Sequence, residues 1–387
     1  MTSLEEFRNQ MSITKSHIYF NHAGIGPISD STLQLLENLS KSQRLGNQGI
    51  DWEPFMTWHG SVRKEISHLI NCSSEEVALT NSTATGISHI LSSMNWIDSK
   101  ERGLILNDLE FSSNSFAYQQ ISKKFKIPLH IIQSIKEDGI EKLSLDDFRS
   151  KMETVPISLI GISHVQFQNG FRIDLEKLTK IAHEYDVKVL VDAMQSIGAL
   201  NVDVKKLGVD FLATGGFKWC LGPLSTGFIY IKEKLLDSLE PVFVGPLSDK
   251  NPTEFLHRPF NSHDSALKFQ YTFNFQASGL GEAIRLLNSV SIAKIETKII
   301  SLIEYAIEQF KNQISGIMII SPTGKEGSGI LTIKFPEKVN LEETEKKLSK
   351  KHKIAISVRA GGLRFSPHAY NTEDEIDKVV SVIKNII

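Results

Sequence analysis

Short apolar runs separated by polar, helix-patterned segments dominate the first two-thirds of the chain. The clearest are Glu76 to Thr80, Gly103 to Asn107, Leu129 to Ile132, Ile157 to Ser163, Val187 to Asp192, Phe211 to Thr214 and Gly227 to Ile231. Each has strand length, and several are rich in β-branched residues. Between them the apolar positions recur at helical spacing. In Leu175 to Glu184, for example, Leu175, Leu178, Ile181 and Ala182 share one face. Continuous apolar strands alternating with amphipathic helices predict an α/β fold with a mostly parallel sheet covered on both faces.

Near Asn274 the pattern changes. Residues Ser278 to Gln313 read as a long, interrupted helix, with Leu280, Ile284, Leu287, Ile295, Ile299, Leu302 and Ile303 on its apolar side. Beyond it the spacing predicts a smaller α+β unit. Its strands are Ile317 to Ile320, Gly329 to Phe335, Ile354 to Arg359 and Gly362 to Ser366, with a helix over Glu342 to Lys351. A last helix runs from Thr372 to Ile387, with Thr372 as N-cap and acids in the first turn. The segment Val244 to Asp264, carrying Pro246, Pro252 and Pro259, reads as irregular. The domain division that follows puts residues 15–265 in a large unit. Residues 1–14 and 275–387 form a small one, and a long helix near 278–313 joins the two.

Composition excludes several classes. The chain has 387 residues, 41% of them hydrophobic and 23% charged, with a net charge of −2. That balance leaves no electrostatic footprint for nucleic acid. The basic runs at Lys123–Lys126 and Lys346–Lys353 read as solvated helix faces. Two cysteines, Cys72 and Cys220, imply no disulfide framework and point to a reducing compartment. The start, MTSLEEFRNQ, is polar and acidic, unlike a signal peptide, and no apolar run reaches membrane-spanning length. The expected location is cytoplasmic. No metal-ligand cluster stands out.

Two residues fall where ligands of such sheets bind, beyond the carboxyl ends of strands. Asp192 ends one apolar run, and Lys218 follows another within Gly215-Gly216-Phe217-Lys218-Trp219. Burial of a lysine near a pocket favours the neutral amine, which is what Schiff-base formation needs. A carboxylate after a strand is otherwise a helix cap, and a lone lysine is otherwise a surface group. LTNSTATGISHIL places hydroxyls and free N–H groups at a helix start, where a phosphate can bind. Arg364 offers a bidentate fork for a carboxylate.

Taken together, from YFNHAGIGPIS to LRFSPHAYNTEDEID, these segments resemble the class V aminotransferase family of fold type I enzymes that use pyridoxal 5′-phosphate (PLP). That group includes cysteine desulfurases and isopenicillin N epimerase-like proteins. The resemblance implies a large domain with a mostly parallel seven-stranded sheet and a smaller α+β C-terminal domain. It makes Lys218, in TGGFKWCLGPLSTGFIYI, the Schiff-base residue. It places Asp192 of VDAMQ at the ring nitrogen and Gln195 at the phenolic oxygen of PLP. Ser82 and Thr83 match the phosphate loop, although the acid that commonly follows is missing. Thr214 is a further phosphate candidate. Phe111 of NDLEFSSN falls where the family stacks a group on the ring. Arg364 and Gln166 would hold the substrate carboxylate, with Asn21 and His22 bordering the site. Thr272 resembles a threonine that reaches the neighbouring subunit's phosphate, although Tyr271 replaces the usual glycine. That implies a homodimer with shared active sites.

The reaction is narrowed by departures from the family. Desulfurases usually have histidine where this chain has Phe111, and a phenylalanine cannot do acid–base work. They also need a nucleophilic cysteine shortly before the arginine motif, and Ser321 to Phe335 contains none. Persulfide chemistry is therefore disfavoured. Amino-group transfer on an amino-acid substrate is expected first. A cysteine-free C–S lyase or an epimerase comes second, and a non-catalytic protein on the same fold remains the alternative from another class.

Overall fold

The computed structural model describes residues 1–46, 52–97, 101–254, 258–271 and 274–387, with backbone alone for 52–58. A seven-stranded sheet forms its centre. The strands are β1 (Val77–Thr80), β2 (Gly103–Asn107), β3 (Leu129–Ile132), β4 (Ile157–Ser163), β5 (Lys188–Asp192), β6 (Phe211–Gly215) and β7 (Gly227–Ile231). Their spatial order is β1-β7-β6-β5-β4-β2-β3. The pairs from β6 across to β3 are parallel, and β7 is antiparallel to both of its neighbours.

The run of apolar residues in these strands has a direct cause. Val189, Val191 and Leu212 pack into one buried cluster, while Leu190, Phe211 and Ala213 pack into another on the opposite face. A strand with helices on both sides has no solvent face, so no alternation remains to be seen. The reversal at β7 has an equally local cause. Residues 216–226 contain no helix, and a parallel return needs a long crossover, usually helical. The chain therefore comes straight back, and Lys218 rides on the connecting turn at the carboxyl end of β6.

After the sheet, the expected long helix is two helices, Gln276–Val290 and Ile292–Gln313. Ser291 breaks them with φ 84°. Beyond lies a four-stranded antiparallel sheet of β8 (Met318–Ile319), β9 (Leu331–Lys334), β10 (Ser357–Arg359) and β11 (Gly362–Phe365), in the order β8-β9-β11-β10. Its apolar face and the helix Glu373–Ile386 enclose a third core with Leu302, Phe310, Leu331, Leu363, Ile376 and Val380. Thr372 caps that helix in a capping box with Glu375. The run Ile354 to Arg359, expected as one strand, is split. Ile354–Ala355 pairs in parallel with Ile18–Tyr19, and only Ser357–Arg359 joins the sheet. The stretch from Val244 to Asp264 is irregular apart from a short turn of helix at Pro246–Ser248, and residues 255–257 of it lie outside the described residues. Among the described residues no helix is long and apolar enough to cross a membrane, and no cluster of potential metal ligands occurs.

The break at Ser291 stores strain, because a side chain in left-handed backbone space costs on the order of 1 kcal/mol or more. Glycine removes that cost and loses part of the gain to its own unfolded-state entropy. Ser291→Gly is expected to raise stability by about 0.5–1 kcal/mol, read as a higher urea midpoint with an unchanged slope. A lower midpoint would show that the side chain holds the break instead of suffering from it.

Candidate active site

The carboxyl ends of β4, β5 and β6 open onto a cleft with about 580 Å³ of free space, continuous with solvent. Ligand pockets of this size are ordinary. Its wall includes Ser82 and Thr83 from the start of the helix Thr83–Ser93, Phe111 from the start of the helix Ser112–Phe125, and Val165, Phe167, Asp192, Gln195 and Lys218. Six of the twelve positions expected at the site line this space: Ser82, Thr83, Phe111, Asp192, Gln195 and Lys218.

Lys218 reaches into the cleft, with its Nζ 5.9 Å from the centre of the Phe111 ring. Burial pulls its pKa down to about 8, against the pull of Asp192 in the other direction, and the Arg364 and Arg359 charges add to the fall. The turn that carries it is closely held. Gly26 donates its N–H to the Phe217 carbonyl at 2.8 Å, and no side chain fits at Gly26 beneath the Lys218 carbonyl. The Leu221 N–H closes the turn onto that same carbonyl at 3.1 Å.

Asp192 is the last residue of β5 and is buried. Its Oδ1 accepts the Met194 N–H at 2.9 Å. Burial raises its carboxyl pKa to about 7; the Met194 bond and Lys218 oppose the rise, and Glu110 adds to it. A carboxylate this costly to ionise suits a site awaiting a cationic partner. Ser82 caps the helix Thr83–Ser93, its Oγ accepting the Thr85 N–H at 3.1 Å. The amides of the helix's first turn and the Thr83 hydroxyl border the cleft, an arrangement suited to an anion.

Arg364 lies on β11, almost wholly buried. Its Nη1 donates to the Phe167 carbonyl at 2.6 Å, and its Nε has no partner. Burial and Arg359 lower its pKa to about 10. No carboxylate lies within ion-pair distance of Arg364 among the described residues. A buried guanidinium in that condition is a ready receptor for an external carboxylate.

Other expectations change. Gln166 does not line the cleft. Its Nε2 points at Glu110 Oε1, 3.5 Å away, and its Oε1 has no partner. Beyond the end of β4 the chain bends and turns, and neighbouring side chains face different ways. Val165 and Phe167 face the cleft instead. His22 is a core residue and does not border the cleft. Its Nδ1 donates to the Ser366 carbonyl at 2.8 Å, and its Nε2 accepts the Tyr370 hydroxyl at 2.6 Å. Burial and the neighbouring His368 hold its pKa well below the usual value. Thr214 is buried within β6, its hydroxyl donating to the Gly215 carbonyl at 3.1 Å, and it is not part of the cleft wall. Gln195 lines the cleft but is already engaged, with Nε2 donating to the Ala23 carbonyl and Oε1 accepting the Trp219 indole N–H. One Nε2 hydrogen remains for a ligand. Asn21, bridged to Ser366 through its backbone, leaves its Oδ1 buried without a partner. Thr272 lies outside the described residues.

Glu110 was not singled out as a site residue, yet it organises the wall. Its carboxylate accepts from Asn107 Nδ2 at 2.6 Å, Asn114 Nδ2 at 2.7 Å, and the Ser163 N–H and hydroxyl at 2.7 and 2.6 Å. The spacing Asn107, Glu110, Asn114 was the available signal, since it sets two amides around one acid at a helix start.

The sequence of the whole chain carries the same message. Residues 53–379 match the model of the family described as aminotransferase class-V. A probable cysteine desulfurase of Pyrococcus abyssi is 23% identical over 99% of this chain and 97% of that protein. A kynureninase of Shouchella clausii is 26% identical, covering 99% and 91% respectively. The structure of a variant of the protein C-DES, with glycine covalently linked to its PLP cofactor, superposes with a TM-score of 0.89 at 19% identity, over 98% of this chain and 99% of that one. The relatives carry different activities on one fold, and the anion-binding helix start, the desolvated amine and the buried carboxyl fit PLP. This chain belongs to the class-V aminotransferase family and is a PLP-dependent enzyme of fold type I.

Proposed function

We propose that this enzyme transfers the amino group of an amino-acid substrate, with Lys218 as the covalent and proton-carrying residue. PLP, when bound, supplies an electron sink that weakens the bonds of the substrate α-carbon. In this reading the Lys218 amine would hold the cofactor covalently. The first-turn amides of the helix Thr83–Ser93, with Ser82 and Thr83, hold the phosphate. Phe111 would cover one face of the ring, and Asp192 would partner the ring nitrogen and favour its proton. Arg364 would fix the substrate carboxylate and so orient the substrate α-carbon.

The observation that carries the choice of reaction is the base inventory of the cleft. Lys218 Nζ is the one neutral-range base over the cleft among the described residues once Asp192 is committed to the ring nitrogen. A single base that takes a proton from one carbon and returns it to a neighbouring position is what amino-group transfer requires. Two-sided epimerisation needs a second proton carrier, and Phe111 occupies a wall as an inert ring. Sulfur transfer through a protein thiol is unsupported. Neither Cys220, which is buried, nor Cys72 lines the cleft, and burial pushes both thiols up to about 12. A thiol at that pKa is a poor nucleophile.

Protein supplied with PLP is expected to show a visible absorbance band that borohydride bleaches, and Lys218→Ala is expected to abolish the reducible bond. With that lysine's pKa near 8, the rate of covalent capture should rise up to about pH 8 and then level. A wild-type protein without the band would sink the cofactor reading at Lys218. Product analysis separates the reactions: a keto acid with the amino group passed to an acceptor supports transfer, and free ammonia with a keto acid supports elimination.

Asp192 generates a further expectation in the cofactor-free protein. Its folded-state pKa of about 7 lies above the ordinary 3.8. The folded state thus holds a proton that the unfolded chain has lost, and stability falls as pH rises between those values. Asp192→Asn keeps an oxygen for the Met194 N–H and carries no charge. It should therefore match wild type near pH 4 and exceed it by on the order of 4 kcal/mol at pH 8. A denaturant series at several pH values reads the difference. A pH-independent difference would show that Asp192 is not held protonated by burial.

A further inference from the structure

We propose that Phe167 sets the side-chain specificity of this cleft, and that the amino-acid substrate carries an uncharged, apolar side chain of about ring size. The inference rests on the reading of Lys218 and Arg364 given above. Phe167 is linked to Arg364 through its backbone carbonyl and, through the Phe111 ring, to Lys218. Its carbonyl accepts the Arg364 Nη1 hydrogen at 2.6 Å. Its ring meets the Phe111 ring edge-on, with centroids 5.1 Å apart and planes at 75°. Phe111 in turn lies under Lys218 Nζ. An amino acid with its carboxylate on Arg364 and its nitrogen near Lys218 must pass its side chain along this aromatic wall.

The rest of the cleft agrees. Val165, Met194 and Phe217 extend the apolar surface. The charged side chains lining it, among the described residues, are Lys218 and Asp192, both committed to the cofactor. The nearby acid Glu110 already accepts from Asn107, Asn114 and Ser163 on its two oxygens. Arg359, whose charge is felt at Lys218 and Arg364, is exposed and outside the cleft wall, so a charged substrate side chain would lose hydration here for little counter-charge. An aromatic or branched aliphatic one gains area burial, and a ring gains an edge-to-face contact as well. Neither cysteine lines the cleft, so no thiol selects the substrate.

The test uses PLP-loaded protein and the spectral change of the bound cofactor on titration with phenylalanine, leucine, alanine, aspartate, lysine and cysteine. Phenylalanine and leucine should bind at least about tenfold more tightly than aspartate and lysine, the scale of one pocket contact. Phe167→Ala keeps the backbone carbonyl for Arg364. It should weaken phenylalanine about tenfold and leave alanine within about twofold, while Phe167→Leu should retain the preference for leucine. A preference for aspartate, lysine or cysteine overturns the proposal. So does an equal loss for all amino acids in Phe167→Ala, which would mark Phe167 as a backbone support only. An intact borohydride-reducible band with no response to apolar amino acids also sinks the specificity claim and leaves the cofactor reading standing. Absence of the band itself sinks both.

Discussion

Desolvation of ionisable groups around one cleft is the constraint on which the rest of the architecture depends. Burial pulls Lys218 down to about 8, Arg364 down to about 10 and Asp192 up to about 7. Each shift disfavours the charged form, so each is a cost to the fold. Side chains left to relax would turn outward and recover their hydration. They are held by backbone that cannot yield: Asp192 by the last parallel pairings of β5, Arg364 by the antiparallel register of β11 against β9, and Lys218 by a turn locked beneath Gly26. The strong parallel core is what makes a weakly solvated edge tolerable.

Glu110 shows how the wall is kept in place without a charge partner. Four donors from three segments, Asn107 at the end of β2, Asn114 on the following helix and Ser163 at the end of β4, converge on one carboxylate at 2.6–2.7 Å. Hydrogen bonds to an ionised acceptor are roughly twice as strong as neutral ones. They fix the end of β4 relative to the helix start that presents Phe111. The carboxylate also adds to the difficulty of ionising Asp192. Two acids close together raise the value of a positive charge arriving between them.

The strands were legible because their burial on both faces writes unbroken apolar runs, and Gly103 to Asn107 or Ile157 to Ser163 needed no further information. The split of Ile354 to Arg359 was not legible. Its two halves pair with partners far away in sequence, Ile18–Tyr19 and β11, and an apolar run does not record its partner. At the site, positions set by strand ends could be read along the chain, as with Asp192 and Lys218. Side-chain direction beyond a strand end could not. The chain bends and turns there, so neighbouring side chains face different ways, Gln166 to Glu110 and Phe167 to the cleft. His22 and Thr214 were hidden for a different reason. A polar residue beside a site motif looks available until its hydrogen-bond partners, here Ser366, Tyr370 and Gly215, are known.

The same partners explain how the C-terminal unit steadies the lysine turn. His368 Nδ1 accepts the Ala369 N–H at 2.9 Å, so its Nε2 must donate, and it does so to the Trp219 carbonyl at 3.2 Å. Trp219, next to Lys218, gives its indole N–H to Gln195. His22 continues the contact to Tyr370, and the Tyr370 carbonyl accepts from Arg8, which also pairs with Glu375 at 2.8 Å. His22 and His368 are each fixed in one neutral tautomer, His22 by the Ser366 carbonyl, which can only accept, and His368 by the Ala369 N–H, which can only donate. Burial holds the His368 pKa at about 4 and that of His22 well below its usual value. The support therefore carries no titration of its own through the neutral range. Changes in the cleft between about pH 7 and 8 consequently belong to Asp192 and Lys218, the two groups whose protonation the chemistry needs.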